Sequence, residues 1–310
     1  MKLDELNKLL FNSKMSREGM ERMNRLLLLP GLPEVKNWKN TFCGRFILKY
    51  PKYYGIIAKI KNNLGFIPDW KDFTKSNIDN LSSVFSGCAQ SSRRTYFAMI
   101  KAVLNDARDE FTLPYLGYQD RLSVKNTPSI SVYLNLNELS ILESYRPENE
   151  KEKIILAQFL CGCYTGARHS DVLEMTDENI SNGYIYYVSK KTKTATTIEA
   201  KPVLHKLLPI AGKKRYSDSS FNDTIRDICR KAGINERVKL FRRGKNETGE
   251  KWKFIASHTA RRSFATNLAE LGVPILQISK RMGHSDIKMT QGYICCGIGK
   301  LDKNAIQFFK

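Results

Sequence analysis

The chain has 310 residues, 42% of them hydrophobic, and a formal net charge of +20. That apolar fraction is enough to bury a core in each of two ordinary domains and excludes a disordered chain. A charge so one-sided calls for a polyanionic partner, nucleic acid first among them, or marks a strongly solvated basic surface.

The N-terminus reads Met1-Lys2-Leu3-Asp4-Glu5-Leu6, with acids where a signal peptide needs an apolar run. Leu3, Leu6 and Leu10 stand at helical spacing, and Gly31 and Pro33 then punctuate the chain. A second helical group runs through Tyr54, Ile57 and Ile60. Ser91-Ser92 are expected to cap a helix whose apolar face carries Tyr96, Ile100, Val103 and Ala107. The cations Arg93, Arg94, Lys101 and Arg108 on that run are candidate phosphate contacts or plain solvated charge. Residues 112–133 change character, with Pro114, Gly117, Lys125 and Pro128, which predicts a linker and a boundary near 120–132. Asn135 and Glu138, three apart, predict a capping box and a helix start.

The apolar stretch Ile154–Ala167 is broken by Gln158 and too short to span a bilayer, so it predicts a buried helix and no membrane role. Tyr184–Val188 and Thr194–Ile198 are rich in strand formers and predict a hairpin whose tip is Ser189-Lys190-Lys191-Thr192-Lys193. Phe221, Ile225, Ile228 and Ala232 form a helical stripe ended by Gly233. Two more helices follow, one capped by Ser257 and stopped by Gly272, the other running from Pro274 to Gly283. The seven cysteines, Cys43, Cys88, Cys161, Cys163, Cys229, Cys295 and Cys296, are odd in number and hold no Cys-x-x-Cys pair. Reduced thiols, with neither a disulfide framework nor a zinc site, are the expectation.

Four segments carry candidate chemistry. In Thr165-Gly166-Ala167-Arg168-His169-Ser170-Asp171, Gly166 allows a sharp turn and Ser170 is placed to cap the next helix. Arg168 then lies just before a helix N-terminus, where a guanidinium can hold two phosphate oxygens. The hairpin tip offers Lys190, Lys191 and Lys193, any of which could give up a proton or meet a phosphate. In Ser257-His258-Thr259-Ala260-Arg261-Arg262, His258 and Arg261 share the face of a first helical turn. In Gly283-His284-Ser285, His284 sits in a corner before a helix capped by Ser285, and Tyr293 stands nine residues on. Together they offer a nucleophile, cations for a pentacovalent phosphorane and an acid for a leaving oxygen, without a metal.

In this order and spacing the four segments resemble the tyrosine recombinases, the phage-integrase family, over about residues 133–295. The helical segment before them resembles that family's core-DNA-binding domain. One departure is Lys193, which follows Lys191-Thr192 where the family often has Gly; another is Met282 for a more usual Leu. The resemblance implies a mainly α fold with a small antiparallel β-sheet or hairpin, closing on DNA as a two-domain C-shaped clamp. It implies a helical, SAM-like domain over 1–125, a linker over 126–132 and a catalytic domain over 133–310. It also implies that Arg168 and Arg261 clamp the scissile phosphate and that His258 positions or deprotonates the nucleophile. His284 would hydrogen-bond a non-bridging oxygen, Lys191 would protonate the leaving 5′-hydroxyl, and Tyr293 would hold a 3′-phosphotyrosine. Arg93, Arg94, Lys101, Lys190, Lys193 and Arg262 are the candidate DNA contacts.

No cofactor and no metal are implied. The implied partners are duplex DNA carrying recombination sites and further copies of the chain, as a tetramer on two sites. Accessory DNA-bending proteins are candidate further partners. The implied setting is the cytoplasm of a bacterial, archaeal or phage-infected cell. A type IB topoisomerase would share this chemistry, but that group more often has Lys where this chain has His258. A non-catalytic DNA-binding protein is the rival from another class. The tail after Tyr293, with Leu301, Ile306, Phe308 and Phe309, is expected to dock on a neighbouring protomer, or else on its own domain.

Overall fold

The computed structural model describes residues 40–125, 131–242 and 245–295, with the backbone alone at Arg242. The helix expected from Leu3, Leu6 and Leu10, the break at Gly31 and Pro33, most of the linker over 126–132, Cys296 and the tail over 301–310 lie outside the described residues. The chain divides into two compact units, residues 1–127 and 128–310. The described parts are mainly helical, with two small antiparallel sheets.

The first unit holds α1 (Phe42–Lys49), α2 (Gly55–Leu64), α3 (Lys75–Val84), α4 (Gln90–Ala107) and the short α5 (Tyr118–Arg121). Thr41 opens α1 by accepting the Gly44 N–H at 3.1 Å, and Asp69 accepts the Phe42 N–H at 3.0 Å. Two of the orphan donors of that helix start are thereby satisfied. α4 starts earlier than the serines led us to expect: the Ala89 carbonyl accepts the Arg93 N–H at 2.9 Å, so Ser91 and Ser92 fall inside the first turn. Its inward face buries Phe97, Ile100, Val103, Leu104 and Ala107, with Tyr96 half-buried beside them. Pro114 and Gly117 do not open a linker. Leu113, Tyr118 and Leu122 around them are buried in this unit's core, where apolar burial outweighs the local turn composition.

The second unit begins with α6 (Leu136–Ser144), which carries the expected capping box. Asn135 Oδ1 accepts the Glu138 N–H at 3.0 Å, and Glu138 Oε2 accepts the Asn135 N–H at 2.8 Å. α7 (Glu150–Thr165) is the expected buried helix. It is packed by α6, α8 (His169–Val172), α9 (Leu204–Ala211), α10 (Asp218–Lys231) and α11 (Ser257–Glu270), as a helix apolar nearly all round requires. Gln158, which interrupts its apolar run, donates to the Ala211 and Lys214 carbonyls, both at 2.8 Å, and so is satisfied in the interior. No helix among the described residues is long and apolar enough to cross a membrane.

β1 (Ile180–Ser181), β2 (Tyr184–Val188) and β3 (Ala195–Glu199) form an antiparallel sheet in that order, with Ile185 opposite Ile198 and Tyr187 opposite Thr196. A second ribbon, β4 (Arg237–Arg242) with β5 (Lys245–Glu250), has no counterpart in the sequence reading. Its signal was there: Arg237-Val238-Lys239-Leu240 alternates with period two, though over a short, charge-rich stretch. α12 (Ile275–Arg281) and α13 (Ile287–Gln291) close the described unit.

Gly166 ends α7 at φ +63°, and a Cβ there would stand 2.4 Å from Phe264 Cδ1. Gly166→Ala therefore combines left-handed strain with overpacking and is expected to lower the unfolding free energy by about 2–4 kcal/mol. Chemical denaturation measures this, and a parent-like midpoint would show that the corner gives way freely.

Candidate active site

Arg168 is itself the N-cap residue of α8, in an extended conformation; Ser170, expected as the cap, lies within the helix. The helix starts earlier because the Arg168 carbonyl already accepts the Asp171 and Val172 N–H groups, at 2.8 and 2.9 Å. Arg168 Nη1 donates to Ser189 Oγ at 2.8 Å, and Ser189 Oγ donates to Asp171 Oδ2 at 2.9 Å. The other Asp171 oxygen accepts the Lys190 N–H at 3.0 Å. Asp171 and Ser189 are both buried. One carboxylate thus ties the arginine motif to the base of the lysine hairpin, a role that nothing in the sequence assigned to Asp171. The two residues are remote in sequence, so nothing local could have paired them.

Arg261 is 1% exposed, the largest fully buried side chain of the described residues. Its guanidinium donates to the Gly166 carbonyl, to the Met282 carbonyl at 3.1 Å and to His284 Nε2 at 2.7 Å. Since arginine only donates, Nε2 is the acceptor and the His284 proton sits on Nδ1, 2.9 Å from Thr290 Oγ1. The Tyr293 ring covers the guanidinium, with its centroid 5.2 Å from Arg261 Cζ and 5.4 Å from the His284 ring. Thr290, fully buried on α13, therefore links His284 to the segment that carries Tyr293. Thr266 of α11 holds that segment from the other side, its Oγ1 accepting the Cys295 N–H at 3.0 Å. Neither threonine was singled out in the sequence. The cap of α13 is Asp286, which accepts the Lys288 N–H at 2.9 Å, in place of Ser285. Asp286 is one residue nearer the helix and reaches its second N–H.

α11 starts after Ala256 with Ser257 as its first helical residue, so Ser257 is not the cap. The free N–H groups are taken by side chains instead: Thr259 Oγ1 accepts from Ala256 at 3.0 Å, and Asn222 Oδ1 from Ser257 at 2.9 Å. His258 lies at the solvent-facing edge of the site. Desolvation lowers its pKa first, and the charges of Arg262, Arg261, Arg168 and Lys191 lower it further. Burial, then Arg261 and Arg168, hold His284 down at about 4. Arg261, His284 and Tyr293 are in direct contact, the charges of Arg168 and Arg261 act on both His258 and His284, and Lys191 acts on His258 alone.

The remaining candidates divide. Lys190 turns to Glu174, its Nζ 2.6 Å from Oε1. Lys193 is exposed and left-handed at φ 55°, the backbone conformation that favours the glycine often found there. Arg262 is half-buried beside His258. Arg93, Arg94 and Lys101 belong to α4 of the first unit. Arg93 lies 5.8 Å from the Phe97 ring centroid, Arg94 is exposed, and Lys101 donates to the Gln119 carbonyl at 3.2 Å.

Two arginines, two imidazoles and a tyrosine held in this way, with a lysine on the neighbouring hairpin, are the kinds of group that phosphoryl transfer by side chains calls for. The model of the phage integrase family matches residues 133–295, a little over half of the chain, and the chain belongs to that family. It is accordingly a tyrosine recombinase, an enzyme that breaks and rejoins DNA. The tyrosine recombinase XerD of Staphylococcus aureus is 25% identical over 266 residues, covering 80% of this chain and 81% of its own. The XerD of Staphylococcus saprophyticus is 26% identical over 247 residues, 76% and 77% of the two chains. In fold, the chain is similar to a lambda integrase fragment solved as a dimer on a core site (TM-score 0.59, 16% identity, 92% of this chain and 97% of that one). It is similar also to the Tn1549 transposon integrase solved with circular-intermediate DNA (TM-score 0.60, 14% identity, 86% and 99%). The family stands on the recombinase side of the choice between recombinase and topoisomerase.

The depressed histidines make stability depend on pH. An imidazole whose folded pKa lies below its unfolded value of about 6.5 contributes stability that is present above that value and is lost as pH falls through the folded pKa. For His284 the window runs from about 6.5 down to about 4. The melting temperature is expected to fall across it, and His284→Gln to flatten the slope. Equal slopes for parent and variant, read by calorimetry, would remove His284 from the account.

Proposed function

We propose that this recombinase acts at specific duplex sites through a covalent 3′-phosphotyrosine at Tyr293. The observation that carries the reading is the packing of Tyr293 over the Arg261 guanidinium, beside His284. In the proposed reaction the Tyr293 phenol oxygen attacks the scissile phosphorus and its proton passes to His258, kept neutral by its surroundings. Arg168 and Arg261 hold the non-bridging oxygens. The Tyr293 ring moves off the guanidinium face to admit the phosphate, and His284 then trades its bond from Arg261 for one donated to a phosphate oxygen, which requires its proton to move from Nδ1 to Nε2, with Thr290 Oγ1 donating to Nδ1. The bond to the 5′-oxygen breaks, and Lys191 supplies the proton that this oxygen takes. A 5′-hydroxyl from a partner strand later displaces the phenol and reseals the backbone, so no external energy source is needed.

Lys191 is preferred at the tip because its charge bears on His258, whereas Lys190 is paired with Glu174. Lys190, Lys193 and Arg262, with Arg93, Arg94 and Lys101 of the first unit, are proposed to track the DNA backbone. The helical domain, a short linker and the catalytic domain, divided at 126–132, are proposed to close round duplex DNA as a clamp. Four protomers would act on two sites, in the cytoplasm and on a mobile element, with DNA-bending proteins as helpers. The lambda and Tn1549 integrases, solved on DNA, support the choice of partner.

The full chain should be given a duplex selected from a random pool by its affinity for the protein, with adducts read on a denaturing gel. The parent is expected to form an adduct in EDTA as well as in magnesium, and Tyr293→Phe to bind but form none. An adduct persisting in Tyr293→Phe would falsify the assignment, and a strict need for magnesium would overturn the metal-free chemistry.

The acid is tested separately with sulfur in place of the bridging 5′-oxygen at the mapped cleavage point, since a thiolate leaves without a proton. Lys191→Ala should be inactive on the oxygen substrate and recover on the sulfur one. If Lys193→Ala shows that recovery instead, the role moves to Lys193.

A further inference from the structure

Tyr187 is a second tyrosine at this centre. It lies on the inward face of β2, between Ile185 and Ser189, both buried, while its neighbours Tyr186 and Val188 face outward. Ser189 is the residue that bonds Arg168 and Asp171. Across the sheet the register partner of Tyr187 is Thr196, whose buried side chain abuts the next corner of the site. A Cβ at Gly283, the residue before His284, would stand 2.8 Å from Thr196 Oγ1. The ring packs against the apolar cluster of Ile198, Phe264 and Met282, on which Tyr293 also rests. The strand position of Tyr187 thus adjoins the Arg168–Ser189–Asp171 group through Ser189 and the Gly283–His284 corner through Thr196.

We propose that Tyr187 is a positioning residue of the strand-cleavage centre: set beside Ser189 and opposite Thr196, it fixes the spacing of the two guanidiniums that receive the scissile phosphate. The inference rests on the phosphate-binding roles proposed above for the two arginines. The two cations repel each other: burial first, and then the charge of Arg168, make the charged form of Arg261 harder to hold. A carboxylate between them would relieve the repulsion and also cancel the charge that the phosphate needs. A phenol oxygen accepts an N–H and leaves the net charge intact. Burial, the largest influence, raises the Tyr187 pKa against the pull of Arg261 and Arg168, so the hydroxyl stays protonated at neutral pH. Sequence reasoning used Tyr187 only as a strand former, because the charges that surround it come from α8 and α11.

The test compares parent, Tyr187→Phe and Tyr293→Phe on the duplex selected by the parent, in single-turnover adduct formation at saturating DNA. It is run below the melting transition of every variant, so that lowered stability does not enter. For Tyr187→Phe the rate constant is expected to fall by about 10- to 100-fold, the scale of a sub-ångström to ångström misplacement. The dissociation constant for the duplex and the final adduct yield should stay at the parent values. In an Arg168→Lys background the same change should have little further effect, since the two act through one geometry. A parent-like rate constant, or a loss confined to yield, overturns the proposal. So does an adduct in Tyr293→Phe that disappears in Tyr187→Phe/Tyr293→Phe, which would make Tyr187 a nucleophile. Absence of any adduct from the parent defeats the Tyr293 reading itself, and is seen before variants are compared.

Discussion

The buried guanidinium of Arg261 is the constraint around which the second unit is arranged. Taking such a group out of water costs several kcal/mol unless hydrogen bonds replace the lost solvation. Here the replacement comes from the C-terminal ends of two helices. Gly166 is the C-cap of α7 and Met282 that of α12, and both carbonyls accept from Arg261. Helix C-termini carry partial negative charge, so each is a suitable neighbour for a cation. The turns that present them depend on left-handed glycines, Gly166 at φ +63° and Gly283 at φ +63°. A carboxylate would hold the arginine as well but would neutralise it. Carbonyls and an imidazole hold it and leave its charge available.

Arg168 is secured in a different manner. Its partner is a serine hydroxyl, and the carboxylate of Asp171 stands behind that hydroxyl, 4.0 Å from the guanidinium nitrogen. Because the same carboxylate also accepts the Lys190 N–H, the hairpin cannot shift without disturbing the arginine. The position of the tip lysines therefore follows from α8, and that of α8 from its packing on α7. A helix buried by five others is a rigid reference, which suits a site whose parts come from segments far apart in sequence.

The legible parts of the site were those written in short motifs. His258 with Arg261, Gly283 with His284, and the corner before Arg168 each announce themselves within a few residues. The hairpin showed in its strand-forming composition, the buried helix in its long apolar run, and the Asn135–Glu138 box in its spacing. Caps were less legible. Ser91, Ser170, Ser257 and Ser285 all looked like caps, yet Ala89, Arg168, Ala256 and Asp286 begin those helices. Serine preference is worth about 1 kcal/mol, less than the packing that fixes where a helix starts. The connections between segments were not legible at all. Asp171 with Ser189, Asn222 with Ser257 and Thr290 with His284 depend on the fold bringing distant residues together. β4 and β5 were missed because their alternation is short and interrupted by charge.

The neutrality of the two histidines follows from desolvation first and from the same crowding of cations after it. Arg261 and Arg168 both depress His258 and His284, so neither imidazole adds positive charge at neutral pH. In the proposed mechanism, charge stabilisation therefore falls to the arginines and to Lys191, while His284 contributes a hydrogen bond and His258 a lone pair. A phosphate entering between the arginines would offset their charge and let both histidine pKa values rise. His258 would then be a stronger base with the phosphate in place than without it. Proton acceptance from Tyr293 would in this way be tied to the arrival of the group that Tyr293 attacks, which restrains the nucleophile until a backbone phosphate fills the site.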